Sequence, residues 1–243
     1  MLGAACVFFM THAIRGALQN ILNGFAAGVM VAASVWSLLI PSMEMSDCEG
    51  FMRVVPATVG FLVGIGFLLL IDTFTPHQHI DAPHSEGPKI KMGRTGKLLF
   101  AITIHNIPEG MAVGVAFAAA LGNNSYLSMA GAVALAVGMA IQNFPEGAIV
   151  SMPLRAAGNS KLKSFWLSVA AGAVEPVAMV VTLMVTDAIL PLLPYVLSFA
   201  AGAMFYVVVE ELIPETQKGK HSNLGTIGFA VGFVLMMILD TVL

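Results

Sequence analysis

From Val54 to Ile71 the chain carries no charged side chain, and none again from Leu192 to Val209. Backbone this apolar leaves water only as a helix that closes its own hydrogen bonds, and about 20 such residues cross a bilayer. Stretches of this kind follow one another along the chain: Phe25–Ile40, Val54–Asp72, Leu98–Leu121, Tyr126–Met152, Phe165–Thr186, Leu192–Leu212 and Leu224–Leu243. One more, Met1–Asn23, is a poorer candidate, because Arg15, Gln19, Asn20 and Asn23 follow only a short apolar start. It lacks a basic leader, so it reads as a short or clipped first helix rather than a cleaved signal. Charged residues make up 10% of the chain, where soluble domains hold nearer a quarter. The expected fold class is therefore all-α: a polytopic membrane protein of eight transmembrane helices in a single domain, 1–243.

Charge placement gives the orientation. With Arg15 on the cytoplasmic side and alternating spans, ten of the eleven Lys and Arg residues fall in cytoplasmic loops, and only Arg53 falls outside. Both termini are then extracytoplasmic, in a multi-pass protein of the cell membrane. The long loop 73–96 is cytoplasmic and holds His77, His79 and His84 beside Asp81 and Glu86. The net charge of −3 gives no argument for nucleic acid as a partner. Cys6 and Cys48 fit neither a zinc ribbon nor a disulfide framework.

The chemistry lies in two matching heptapeptides inside apolar spans. The first is Ile104-His105-Asn106-Ile107-Pro108-Glu109-Gly110, and the second Ile141-Gln142-Asn143-Phe144-Pro145-Glu146-Gly147. In each, the Glu follows His105 or Gln142 by four residues, so the pair shares one helix face, with Asn106 or Asn143 offset by about 100°. Each Pro removes a backbone hydrogen bond and frees the carbonyl four residues earlier. Polar groups at this depth are costly in lipid and mark a functional interior. Two facing carboxylates repel, and a divalent cation between them removes that penalty. The mix of His, Asn, Gln and Glu suits a divalent transition metal. The bland alternative is a protonated carboxylate pair bonded between helices. Glu175, before Pro176, is a third intramembrane carboxylate, and by itself it could simply bond to a neighbour. Met30, taken alone, is packing, one of 16 methionines.

The paired His-Asn-x-Pro-Glu-Gly and Gln-Asn-x-Pro-Glu-Gly motifs resemble those of the ZIP (Zrt/Irt-like) metal transporters, in the bacterial GufA-like branch. The run from Gly24 to Ser37 is also similar to the family's second helix. The resemblance implies uptake of divalent metal into the cytosol by alternating access, with zinc first and iron, manganese or cadmium as alternatives. The metal is cargo, and no cofactor or enzymatic activity is expected. A two-metal site is implied. One ion would bind His105, Glu109, Gln142 and Glu146, with Met30 as a thioether ligand. The second would share Glu109 and Glu146 and add Asn106, Asn143 and Glu175. Relatives often carry Asp where this chain has Asn143 and His where it has Gln142. The loop histidines are expected to collect metal on the cytoplasmic side, and Glu210 and Glu211 to form an exit. Asp72 and Asp240 read as interfacial. The partners are metal ions and the lipid bilayer, with a homodimer as an open alternative to a monomer. Two rivals remain at this stage. An intramembrane metalloenzyme would need a base near a metal-bound water. A proton-coupled carrier of organic solutes would need an intramembrane cation to hold a carboxylate.

Overall fold

A computed structural model describes residues 2–9, 16–46, 49–74, 94–122, 128–185, 188, 190–217 and 222–242. These residues are helical, with no strand among them. A short segment, a 3-10 turn at Gly3–Ala5 and then α1 (Cys6–Phe9), comes first. The long helices follow: α2 (Gly16–Glu44), α3 (Val55–Phe74), α4 (Arg94–Leu121) and α5 (Met129–Ala156). Then come α6 (Lys161–Met184), α7 (Leu190–Thr216) and α8 (Leu224–Val242). Seven helices among the described residues are long and apolar enough to cross a membrane. Of the stretch expected to be a short first helix, the described residues before α2 form the helical segment Gly3–Phe9.

Several boundaries differ from expectation for one reason. Gly16–Asn23, assigned above to the first helix, instead opens α2, and Asn20 and Asn23 are buried in it. Pro41 was expected to end this helix and does not. A π-helical stretch, Ser34–Leu39, precedes it, and the helix runs on to Glu44. In α7 a second π-helical stretch, Val208–Leu212, precedes Pro214 in the same way. A widened turn gives the proline ring room, so the helix survives a residue that would otherwise break it. Pro108 and Pro145 likewise lie inside continuous helices. Only α6 is interrupted, at Ala173, and a new helix starts at Val174. Side-chain caps mark two starts: Ser128 accepts from Gly131 N (2.9 Å) and Ser160 from Lys163 N (3.2 Å).

The packing exposes a duplication. Phe25-Ala-Ala-Gly-Val-Met30 recurs as Phe199-Ala-Ala-Gly-Ala-Met204, and Leu39-Ile40-Pro41 as Leu212-Ile213-Pro214. Gly60-Phe61-x-Val63-Gly64, with Asp72-Thr73 beyond it, recurs as Gly228-Phe229-x-Val231-Gly232, with Asp240-Thr241. The repeating pairs are thus α2–α3 and α7–α8. In space they exchange partners: α2 packs on α8, and α3 on α7. The recurring glycines sit at these crossings. A Cβ at Gly28 would run into Phe229 O, at Gly232 into Phe25 O, at Gly64 into Phe199 O and at Gly202 into Phe61 O. Missing side chains let the helices approach backbone to backbone, the main source of helix association in lipid.

Gly28→Leu should therefore force α2 off α8 and cost about 1–3 kcal/mol of stability. Gly66→Leu enters open space and should melt near wild type. Thermal unfolding of both variants in the same detergent reads the difference.

Candidate metal site

Helices α4, α5 and α6 bring three carboxylates together. One oxygen each from Glu109, Glu146 and Glu175 lie within 4.8 Å of one another. Zinc–oxygen bonds of about 2.0–2.2 Å put two oxygens on one ion up to about 4.4 Å apart, so this cluster is close to closing on a cation. Glu109 is buried, and its Oε2 has no hydrogen-bond partner among the described residues. No Lys or Arg occurs in the sequence between Lys97 and Arg155, nor between Lys163 and Lys218, so none lies within eight residues of these carboxylates along their own helices.

Both motif glycines contribute by what they lack. A Cβ on Gly110 would strike the backbone of Glu175, so the glycine lets α6 come close enough to present its carboxylate. A Cβ on Gly147 would strike Gly3 and Ala4, so its copy seats the N-terminal segment in the same manner. The break at Ala173 leaves Glu175 in the first turn of the second half of α6. A negative side chain is favoured there, and Pro176 loses no helical bond in that turn.

Amides line the carboxylates. The Asn106 side chain, buried on α4, lies between Ala171 O (3.3 Å) and Glu146 Oε1 (2.8 Å). With its nitrogen toward Glu146 it donates there and to Ile102 O (3.0 Å). With its oxygen there, two acceptors meet at a spacing that suits neighbouring ligands of one cation. On α5, Gln142 Nε2 donates to Asn143 Oδ1 (3.0 Å), and Asn143 Nδ2 donates to Glu175 Oε2.

The surroundings divide the site into two sides. Asn106, Asn143, Glu146 and Glu175 line a cavity of about 330 Å³ that Leu2 and Phe144 also border. His105, Glu109 and Gln142 are not part of that lining and are buried. Away from the cavity, His105 Nδ1 lies 2.9 Å from Glu211 Oε1 of α7. Asp72, at the end of α3, accepts a hydrogen bond from Tyr206 Oη (2.8 Å). At its repeat counterpart, Asp240 Oδ1 accepts from Ser37 Oγ (2.6 Å).

The sequence-predicted residues thus sort themselves. Glu109, Glu146 and Glu175 form one cluster, with Asn106 and Asn143 in hydrogen-bond contact with its carboxylates. Glu211 reaches His105, whereas Glu210 is exposed. Met30 is buried in the apolar core that α2 shares with α4 and α5. Its counterpart Met204 is buried in the same core, so the duplication accounts for a methionine at either position. His77, His79 and His84 lie outside the described residues. The link from His105 to Glu211 escaped the sequence reading because the two are far apart in the chain. The π-helical turn that carries Glu211 gives no sequence signal beyond the proline after it.

Comparison with known proteins gives a consistent picture. The family model described as ZIP Zinc transporter matches residues 75–240. The chain is 38% identical to "Zinc transporter ZIP11" of Xenopus tropicalis, over 98% of this chain and 92% of that protein. It is 36% identical to "Zinc transporter ZIPB" of Bordetella bronchiseptica, over 96% of this chain and 74% of that one. It is 34% identical to "Zinc transporter GufA" of Myxococcus xanthus, over 98% and 92%.

If Gly110 is needed to seat Glu175, Gly110→Ala should weaken divalent metal binding by about tenfold or more, a loss of over about 1.4 kcal/mol. Gly66→Ala should not. Metal titration of the purified variants gives the comparison.

Proposed function

The chain belongs to the ZIP zinc transporter family, and from that premise we propose that it carries zinc into the cytosol through the site between α4, α5 and α6. Its family makes it a metal transporter and not an enzyme, and its apolar helices make it a multi-pass membrane protein. The finer reading is ours. Two divalent ions share Glu109 and Glu146. The first also meets His105 and Gln142, with Met30 as a further thioether. The second uses Asn106, Asn143 and Glu175. Iron, manganese or cadmium are alternative cargoes, since carboxylate and amide oxygens discriminate weakly among divalent metals.

One observation carries this reading: three carboxylates from three helices converge with no lysine or arginine within eight residues of any of them along those helices. The same absence argues against an organic solute held by its carboxylate. Alternating access is supported by the way the packing divides. Glycine crossings lock α2 to α8 and α3 to α7, while α4, α5 and α6 hold the ions. The contact from His105 to Glu211 crosses from one group to the other, so it must break and reform as they move.

Zinc uptake into proteoliposomes tests the function. Glu109→Ala or Glu146→Ala should reduce uptake to background at matched protein content, because neither neutral neighbour replaces the lost charge. The His77, His79 and His84 triple Ala variant should keep most of its maximal rate. A dead loop variant with an active Glu109→Ala would refute the site. Orientation has its own check. In a chain with Cys6 and Cys48 replaced by Ser, cysteine at position 47 should be labelled from outside intact cells, and cysteines at 161 and 218 should be spared.

A further inference from the structure

The carboxamide of Asn143 is engaged at both ends by the protein itself. Its Oδ1 accepts from Gln142 Nε2 (3.0 Å), and its Nδ2 donates to Glu175 Oε2. The two adjacent amides of α5 therefore form a strap that ends on the carboxylate of α6. An amide whose oxygen already accepts a neighbour's N–H keeps one lone pair of two for a cation and is a poorer ligand than a free one. Its nitrogen can only donate, and here the acceptor is a charged oxygen, the stronger kind of hydrogen bond.

We infer that Asn143 is a positioning residue for the second ion rather than one of its ligands: by holding Glu175 it sets where that carboxylate stands. The inference rests on the two-ion reading above and goes beyond it, because it removes Asn143 from the ligand set and gives it control over another ligand. The local chain geometry explains why Glu175 needs such a hold. It sits just past the break in α6, at a helix start that meets α4 closely at Gly110. A glutamate side chain has several rotatable bonds, and fixing it before the ion arrives removes an entropy cost from binding. Asn143 lines the same cavity as Glu175, so the strap stands where an ion entering that cavity would meet the carboxylate.

The test is zinc titration of the full-length chain in lipid nanodiscs, which should resolve two binding steps in wild type. Asn143→Leu removes the donor, and Glu175→Asp draws the carboxylate back from it. Each should weaken the second step about tenfold and leave the first within about twofold. Because both changes break the same link, the double variant should be weakened about tenfold, not about a hundredfold. A hundredfold loss would make Asn143 an independent ligand and overturn the inference. So would an unchanged second step in Asn143→Leu, or a single step in wild type. A zinc-loaded structure gives a direct reading: Asn143 Oδ1 should stay beyond about 3 Å from the ion while Glu175 binds at about 2.0–2.2 Å. Oδ1 at the shorter distance would also overturn it. No zinc bound or transported by wild type would instead refute the proposed function itself.

Discussion

Three carboxylates converge where no lysine or arginine lies within eight residues along their own helices, and the rest of the structure answers that constraint. At an effective dielectric near 20, two unit charges 4.8 Å apart repel by about 3.5 kcal/mol. Three of them do so pairwise, inside helices that would otherwise pack as apolar rods. Such a cluster persists because the surrounding packing over-determines it. Gly110 brings α6 against α4, the amides of Asn106 and Asn143 supply donors, and the break at Ala173 turns Glu175 inward. The repulsion that makes the site unfavourable when empty is the same term that a divalent cation reverses when it binds.

Holding those charges requires a frame that does not yield, and the duplication supplies it. Each copy contributes one helix with a π-helical turn before its proline and one helix with a Gly-Phe-x-Val-Gly surface. Because the copies exchange partners, neither pair is complete without the other. The α2–α8 crossing then packs against α5, and α7 of the other crossing against α4. Where the copies differ is informative too. The turn before Pro41 carries Ser37, bonded to Asp240, whereas the turn before Pro214 carries Glu210 and Glu211, and Glu211 reaches His105. One copy has kept a neutral contact within the frame, and the other has turned the corresponding stretch toward the ion site.

Much of this was legible in the chain, for physical reasons that differ by element. The spans were visible because lipid tolerates only apolar, self-satisfied helices. The heptapeptides were visible because polar side chains at that depth have no structural excuse. Gly16–Asn23 was misassigned to the first helix because polar residues suggested an end, whereas Asn20 and Asn23 are buried in α2. The span Phe25–Ile40 was closed at Pro41 because propensity treats proline as a breaker, and a π-helical turn beside it, as beside Pro214, lets the helix continue. The duplication, plain once α2 and α8 are seen together, was hidden by the three helices between its copies. The contact of His105 with Glu211 needed the packing of α4 against α7, which no local pattern encodes.

The two Pro-Glu-Gly copies are alike in sequence but not in what they receive. Gly110 admits the backbone of Glu175 and with it a carboxylate, whereas Gly147 admits Gly3 and Ala4, which bring none. The fourth side of the site is closed by backbone, and Leu2 borders the cavity there. Four carboxylates would balance two divalent ions, whereas three leave one positive charge unanswered. On the proposed two-ion reading, that imbalance in a low-dielectric interior would weaken the hold on the second ion, and the neutral amides would not make it up. A transporter needs this: binding must be strong enough to strip water from the ion and weak enough to let it go. On that reading the asymmetry between the two glycine contacts would tune release, and it arises from which segment each copy of one short motif faces.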